Sequence, residues 1–404
     1  MYKSICYCIS MIIREITQEL RESAAEFPTV TILGPRQSGK TTLARYVFPN
    51  YRYISLEDPD TNLRANDDPR GLLSELGDGG IIDEIQRVPD IASYLQGFID
   101  SKRGNGRYIL TGSNQPILRD TVSQSLAGRT SILELMPYSF QEINQYESIQ
   151  NAFELIIKGS FPRVYEERVR QDRFYNSYVQ TYIERDVRLM INVRNTLQFQ
   201  RFVTLLAARV GQLLNFESIS NEIGISATAL RNWFSVLKAT YVVYELRPWH
   251  ANIRKRLIKS SKVYFTDVGL AAFLLGIHTS DQLRTHPLRG SLYENLILTE
   301  LLKGAYNKGA RPDLYFFRDS GGNEIDLVAQ IAGKWIPIEV KSSATFSKDF
   351  VRTINMFQGL GIGEVENGIV FYNGEANMNY NGISILNPLH IGTRTLWDVI
   401  QSPG

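Results

Sequence analysis

Two periodicities alternate along the first third of the chain: short apolar runs ended by small or acidic residues, and amphipathic stretches that repeat near 3.6 residues. Val30-Thr31-Ile32-Leu33 is an apolar run of strand length, and Thr42 to Val47 behind it is helix-prone. Tyr51 to Leu56 alternates as a strand until Asp58-Pro59 breaks it, and helical stretches near 60–66 and 70–77 follow. Ile81-Ile82 ends at Asp83-Glu84, a helix is expected from about Asp90 to Asp100, and Arg107 to Thr111 and Thr130 to Leu135 read as further strands. Strand-like and helical stretches thus alternate through this part of the chain. Ahead of it, Ile12 to Leu20 has the spacing of an amphipathic helix.

The pattern then changes. From Ala152 to about Asn195 it is helical and heavily charged, interrupted by Gly159-Ser160-Phe161-Pro162. The charge run Tyr182 to Arg188 reads as a solvated helix face with i,i+4 pairing. Phe199 to Leu214 is an amphipathic helix, Phe216 to Ile225 a shorter one ended by Gly224, and Ser226 caps a third over Thr228 to Thr240. With the strand Tyr241 to Leu246 behind them, these predict a helix-turn-helix followed by a wing. Trp233, Phe234 and Leu237 fall on its core side. Last come a helix over Leu292 to Leu302 and strands over 314–318, 324–329 and 335–343, with mixed helices and strands from Phe350 to Gly404.

With 404 residues, the chain is too long for one ordinary core, and several domains are expected. A hydrophobic fraction of 43% and a charged fraction of 21% describe a globular protein. The net charge of +2 gives a weak overall field, so any nucleic-acid affinity must come from local basic patches. Ile5 to Ile13 is apolar but shorter than a membrane span, and no small-residue cleavage site follows it, so neither a membrane segment nor a secretory signal is expected. The two cysteines, Cys6 and Cys8, support no disulfide framework or zinc site, and a cytoplasmic location is the simplest expectation. Residues 1–10 read as an upstream mis-start or a mobile tail.

The chemistry concentrates where the first strand meets its helix. Gly34-Pro35-Arg36-Gln37-Ser38-Gly39-Lys40-Thr41, followed by Thr42, is the Walker A pattern in its strand-loop-helix context. Glycines let successive N–H groups turn toward an anion, and the helix behind adds its positive end. Lys40 is expected on the β- and γ-phosphates of a triphosphate and Thr41 on Mg²⁺. Asp83, at a buried strand's C-terminal edge, is placed to hold the same ion, with Glu84 to activate the attacking water. Asn114 or Ser113 is a candidate to sense the γ-phosphate, although Ser113 could equally cap a helix before Pro116. Arg129 is a candidate to stabilise charge on the transferring phosphoryl group, in the same chain or in a neighbour's site.

Gly34 to Thr42, Ile81 to Gln86, Thr111 to Asn114 and Leu126 to Arg129 resemble the AAA-type P-loop ATPases of bacteria and archaea. More narrowly they resemble the prokaryotic family in which such a module precedes a winged helix and a C-terminal domain of uncharacterised function. The Gly-Ser-Phe-Pro stretch at 159–162 and Glu-Arg-Asp-Val at 184–187 look like markers of that family. The resemblance implies a five-stranded parallel sheet with helices on both faces, ATP with Mg²⁺ as ligand, and hydrolysis.

Toward the C-terminus, Glu324-Ile325-Asp326 is followed one hairpin later by Glu339-Val340-Lys341, and strand alternation puts Glu339 and Lys341 on one face. Phosphodiester cleavage uses such a set: Asp326 and Glu339 to hold Mg²⁺, Lys341 to steady a hydroxide or developing charge, and Glu294 as a third carboxylate. The stretch resembles the restriction-endonuclease-like fold, whose signature ends in Asp/Glu-x-Lys, with Glu-Ile-Asp where that family often has Pro-Asp. A salt-bridged strand face is the ordinary alternative.

The expected organisation is therefore an α/β chain: an AAA-type module over 11–150, a helical lid or linker over 151–195, a winged helix over 196–280 and a restriction-endonuclease-like domain over 281–404. Ser226, Thr228, Arg231 and Asn232 would face DNA, with Arg254, Lys255, Arg256 and Lys259 on phosphates. The expected function is a Mg-dependent ATPase coupled to a winged helix and a nuclease-like domain acting on DNA, with a homo-oligomer as one possible assembly. The alternative is a nucleotide-dependent switch for protein partners in which the nuclease-like domain does not cleave.

Overall fold

The computed structural model describes residues 12–113, 125–190, 195–249, 260–361 and 363–402. Cys6, Cys8, Asn114, Arg254, Lys255, Arg256 and Lys259, singled out above, lie outside them.

The N-terminal unit runs α1 (Thr17–Glu26), β1 (Thr29–Leu33), α2 (Lys40–Val47), β2 (Arg52–Ser55), α3 (Pro59–Asp67), α4 (Pro69–Leu76), β3 (Gly80–Asp83), α5 (Ile91–Ser101), β4 (Tyr108–Gly112) and β5 (Thr130–Glu134). The strands pair in parallel in the order β2-β3-β4-β1-β5. Every residue of β1, β3 and β4 is buried, which is why they read as unbroken apolar runs. Leu33, Ile82 and Leu110 pack on α4 and α5 through Leu72, Leu73 and Leu95, while Val30, Ile32 and Ile109 pack on α1 and α2 through Leu20 and Leu43. Asp58 and Asp68 cap α3 and α4, each ahead of a proline in the first turn.

The helix expected from Ile12 begins only at Thr17. The preceding residues spend their hydrogen bonds on other elements: the Ile13 N–H donates to Gln145, and Arg14 is buried among three acceptors described below.

A helical connection follows: α6 (Phe140–Asn144), α7 (Ala152–Lys158), α8 (Pro162–Glu166), α9 (Gln171–Tyr178), a π-helix over Val179–Val187 and α10 (Arg188–Met190). The charge run at 182–188 thus lies largely in a wider helix than expected. It also faces the rest of the chain: Tyr182 Oη donates to the Thr240 carbonyl and Glu184 accepts from Gln200.

The next unit holds α11 (Thr196–Ala208), α12 (Phe216–Ile223), α13 (Ala227–Ala239) and the antiparallel pair β6 (Val243–Pro248) and β7 (Lys262–Phe265). The first helix stops well before Leu214. Gly211 takes φ 72° and its N–H donates to the Val263 carbonyl, while the Leu214 N–H donates to Ser261, so the segment runs along β7 instead of winding on.

The chain ends with α14 (Val268–Leu274), α15 (Ser280–Thr285), α16 (Arg289–Tyr306), β8 (Asp313–Arg318), β9 (Glu324–Ile331), β10 (Lys334–Lys341), α17 (Arg352–Gln358), β11 (Ile369–Tyr372), β12 (Met378–Tyr380), β13 (Ile383–Leu386) and α18 (Leu396–Gln401). These strands form a mixed eight-stranded sheet, β12-β13-β11-β10-β9-β8-β6-β7, so the β6–β7 pair is an extension of the C-terminal sheet and not a free wing. One apolar cluster runs unbroken from Tyr138 through Trp233 and Leu298 to Ile400, across positions 195 and 280. Among the described residues no helix is long and apolar enough to cross a membrane.

Candidate nucleotide site and carboxylate cluster

The turn between β1 and α2 is shaped by backbone geometry that side chains resist. Gly34 and Gly39 have φ of 152° and 92°, and a Cβ on Gly34 would lie 2.1 Å from the Leu135 carbonyl oxygen. Gln37 also takes a positive φ, 66°. The Lys40 ammonium is buried and donates to the carbonyls of Gly34 and Pro35 at 3.1 and 2.8 Å, folded back on its own loop. Burial lowers its pKa, opposed by Glu84 and Asp83. The Ser38 hydroxyl and the Gln37 side-chain carbonyl are buried with no hydrogen-bond partner, so the loop holds polar capacity that a bound group would satisfy.

Asp83 is held by hydroxyls. Thr41 donates to Oδ1 at 2.9 Å, Thr111 donates to the same oxygen, and Tyr53 on β2 donates to Oδ2 at 2.8 Å. Burial, then the Asp83 contact, pushes the Tyr53 phenol up to about 12. Glu84 is the first residue past β3 and takes a left-handed conformation, φ 55° and ψ 47°, which turns its side chain out of the strand. Its Oε2 accepts from Gln86 and from Ser113 at 3.2 Å. Ser113, just past β4, is therefore bonded to Glu84, and Thr111 on β4 reaches Asp83.

A cavity of about 300 Å³ opens beside the loop, lined by Gln37, Lys40, Thr41, Glu84, Tyr138 and Arg163 among others. Its far wall is α8, the helix opened by the 159–162 stretch, which brings Pro162, Arg163, Glu166 and Glu167 to the loop. Arg163 pairs with Glu167 at 2.9 Å, and Tyr138 Oη donates to Glu166. Arg14 ties the floor together: it donates to Glu142 Oε1 at 2.9 Å, to the Ser38 carbonyl at 2.7 Å and to the Met136 carbonyl at 2.6 Å, and stacks over Tyr138 at 4.8 Å. Sequence reasoning missed Arg14, Tyr53, Tyr138 and Arg163. The only signal for Arg14 was a charge where the amphipathic stretch should have been regular.

Arg36 donates to Glu57 at 3.1 Å and lies over the Tyr182 ring at 5.7 Å. Arg129 is the residue the structure moves away from the loop. It precedes β5, its carbonyl accepts from the Thr29 N–H at the start of β1, and its guanidinium forks onto Asp100 at 2.7 and 3.0 Å. That is the N-terminal edge of the sheet, whereas Gly34 and Asp83 stand at the C-terminal edge, so the same-chain alternative for Arg129 falls.

The second constellation gathers residues from α16, β7, β9, β10 and α17. Lys341 donates to Glu339 and, at 3.4 Å, to Asp326 Oδ2, which also accepts the Val340 N–H at 2.8 Å. Thr353 donates to Glu339 Oε1 at 2.6 Å. Glu294 accepts from Tyr264 and from Lys262 at 3.1 Å, and Lys262 also meets Glu324 at 2.6 Å. The expected Glu294, Asp326, Glu339 and Lys341 thus do lie in one neighbourhood, joined by Lys262, Tyr264, Glu324 and Thr353, which sequence reasoning did not single out. Lys262 was visible only as a lysine beside the apolar run Val263-Tyr264-Phe265.

Burial, with Asp326 nearby, pushes Glu339 up to about 8 although Lys341 opposes it; burial pushes Glu294 up to about 7 against Lys262. Asp326 is held below its ordinary value by Lys341 and Lys262 despite burial. Burial is the main cause of both raised values, and a divalent cation would favour the ionised carboxylates. The donor set therefore fits such an ion, yet among the described residues no three His, Cys, Asp or Glu side chains already form a shell for one. Lys341 lies between Asp326 and Glu339, and Lys262 between Glu294 and Glu324.

On the face expected to meet DNA, Ser226, Thr228, Arg231 and Asn232 are exposed. Ser226 caps α13 by accepting from Ala229, and Arg231 is paired with Glu217 at 2.6 Å. Trp233, Phe234 and Leu237 are buried as expected.

Comparison with known proteins divides the chain along similar lines. Residues 26–144 match the model of an AAA domain, 149–281 match a domain of unknown function, DUF8612, and 289–391 match another, DUF4143. The uncharacterized protein Rv2008c of Mycobacterium tuberculosis is 31% identical over 344 residues, covering 84% of this chain and 76% of its own. The uncharacterized protein MJ1637 of Methanocaldococcus jannaschii is 24% identical, covering 85% and 82%. Among solved structures, the Walker-type ATPase PABY2304 of Pyrococcus abyssi matches at 16% identity and a TM-score of 0.39, over 65% of this chain and 96% of that one. With 31% identity over 84% of its length, the chain belongs to the same family as the uncharacterized protein Rv2008c, and its residues 26–144 form an AAA-type P-loop ATPase domain.

Proposed function

We propose that the protein hydrolyses ATP with Mg²⁺ and uses its nucleotide state to govern the C-terminal carboxylate cluster, which acts on DNA. The observation that carries this reading is the set of groups beside one cavity: the Lys40 ammonium, the Thr41 hydroxyl and Asp83 joined at 2.9 Å, and the Glu84 carboxylate just past the strand end.

On this reading Lys40 leaves the loop carbonyls for the β- and γ-phosphate oxygens, and the unpartnered Ser38 and Gln37 groups gain partners. Mg²⁺ held near Thr41 and Asp83 would offset charge on the phosphate oxygens. Glu84 accepts a proton as water attacks the γ-phosphorus, the bond to the β,γ-bridging oxygen breaks, and ADP and phosphate are the products. Arg163, on the opposite wall, adds positive charge near the phosphates if its Glu167 pairing yields. Arg129 can serve only a neighbouring copy, after release from Asp100. A cytoplasmic protein fits the same reading.

In the C-terminal half, Asp326 and Glu339 would hold a divalent cation once Lys341 swings aside, and the exposed Ser226, Thr228, Arg231 and Asn232 would meet the DNA backbone. The modules proposed are 11–150, a lid over 151–195, a winged helix over 196–280 and a nuclease-like domain over 281–404. A second reading is a nucleotide-dependent switch for a protein partner, favoured by the two lysines already offsetting the cluster and by the Arg231–Glu217 pair.

Phosphate release and calorimetry on the whole chain test the proposal. Wild type should bind and turn over Mg-ATP. Glu84→Gln should bind with unchanged affinity and lose roughly a hundredfold or more in turnover. Normal turnover in that variant would remove Glu84 from its role. Stimulation of turnover by DNA favours the first reading over the second.

A further inference from the structure

Helix α16 passes from the carboxylate cluster to the wall of the nucleotide cavity, and its far end is charged where an apolar surface would pack at lower cost. Glu300 and Lys303 are each no more than 3% exposed and paired at 2.6 Å. Both also bind the segment that leaves the first module. Lys303 Nζ donates to the Tyr138 carbonyl at 2.9 Å and the Ser160 hydroxyl at 3.1 Å, and Glu300 Oε2 accepts the Phe140 N–H at 2.9 Å.

Those partners are the two walls of the cavity. Tyr138 lines it directly, and Ser160 belongs to the turn that delivers Pro162 and Arg163 of α8. The walls are joined by the Tyr138 N–H donating to the Ser160 carbonyl at 2.9 Å. Ser160 is fixed from behind by Asp267, which accepts its N–H and its hydroxyl at 2.8 Å each. Nearby, Gly159 and Gly269 approach so closely that a Cβ on Gly269 would lie 2.7 Å from the Gly159 Cα. A shift of α8 toward a bound triphosphate therefore has little slack to absorb it except through Lys303. Nine residues back along the same helix stands Glu294, about 14 Å away at the helical rise.

A buried ion pair is expensive to desolvate, and an apolar pair of similar volume would often hold the fold as well. A pair that also binds both cavity walls has a further use. We infer that Glu300 and Lys303 link the nucleotide site to the Glu294 end of α16, so that occupancy of the one is coupled to the state of the other. The inference rests on the nucleotide-binding reading and extends it to regulation. By linkage the effect is reciprocal: a cation or substrate engaging Glu294 alters nucleotide affinity by the same factor.

Hydrogen exchange on the full chain, with and without a saturating nonhydrolysable ATP analogue and Mg²⁺, tests this. In wild type, protection should rise at the loop over 34–41 and, by about tenfold, at residues 292–297, a value within the usual range of allosteric coupling. The double variant Glu300→Gln with Lys303→Met leaves no unpaired buried charge. It should keep its thermal midpoint and its analogue affinity within a few-fold, keep the loop response, and lose the response at 292–297. Lys303→Arg should restore part of that response. If wild type binds no analogue, the nucleotide reading itself fails. Binding without any change at 292–297 overturns the linkage alone, and a response that survives in the double variant overturns its assignment to this pair.

Discussion

The two constellations differ in how they deal with charge. Around Lys40 the chain presents donors that have settled for its own carbonyls, a folded-back ammonium, and polar atoms left without partners. The cluster around Glu339 is the reverse: carboxylates crowd together, two lysines lie among them, and burial pushes Glu294 and Glu339 toward neutral pH. The first site is centred on the backbone of one continuous turn. The second is built of side chains from five elements and already holds internal cations. An anion can enter the first by replacing weak internal bonds, whereas a metal ion entering the second must displace an ammonium.

The sharpest way to break the comparison is at the loop. Lys40→Ala should weaken Mg-ATP binding by about 2–5 kcal/mol, roughly thirtyfold to several thousandfold, because a buried charged donor is removed; calorimetry showing affinity within threefold would erase the contrast. Next in size, Glu339→Ala and Lys341→Ala should each remove Mg²⁺-dependent nicking of supercoiled DNA while leaving ATP turnover within about twofold, since metal-centred chemistry depends on both ligand and ammonium. Nicking equal in wild type and variants would leave the cluster as a structural salt bridge.

A smaller effect lies in pH. The folded value of Glu339 is raised from 4.5 to about 8, so the folded state keeps a proton the unfolded state has lost. The stabilising contribution is thus full below the unfolded value and is lost as pH rises toward 8. Urea denaturation at pH 5 and pH 8 should show a decline that shrinks in Glu339→Gln by on the order of 1 kcal/mol or more. An identical decline in both proteins would mean the carboxyl is not raised. Smallest, Tyr53→Phe removes one hydroxyl from Asp83 and should cost about threefold to tenfold in Mg-ATP turnover, the worth of one hydrogen bond. A full hundredfold loss would mean that Tyr53 touches the reacting groups itself.

The parallel sheet and its loop were legible because buried strands read as unbroken apolar runs and because the loop's glycines, Lys40 and Thr41 are contiguous. The Ser226 cap and the helix-ending Gly224 were legible for the same local reason. The π-helix at 179–187, the early end of α11 and the late start of α1 were not, since each reflects a hydrogen bond or packing contact made with a distant element. Arg129 illustrates the limit: its neighbours in sequence suggested a catalytic edge, and only the strand direction revealed that it stands at the opposite one.

By itself, then, the order of residues determined a glycine-rich turn with Lys40 and Thr41, the strand that ends in Asp83 with Glu84 just past it, and a Glu-x-Lys pair on one strand face, because spacing along a strand or turn is enough to fix which groups face the same way. Tertiary structure alone decided that β6 and β7 extend the C-terminal sheet, that Lys262 and Tyr264 meet Glu294, and that α16 reaches both sites. Those contacts join residues far apart in the chain, and what brings them together is the shared apolar core from Tyr138 to Ile400, whose packing has no local signature.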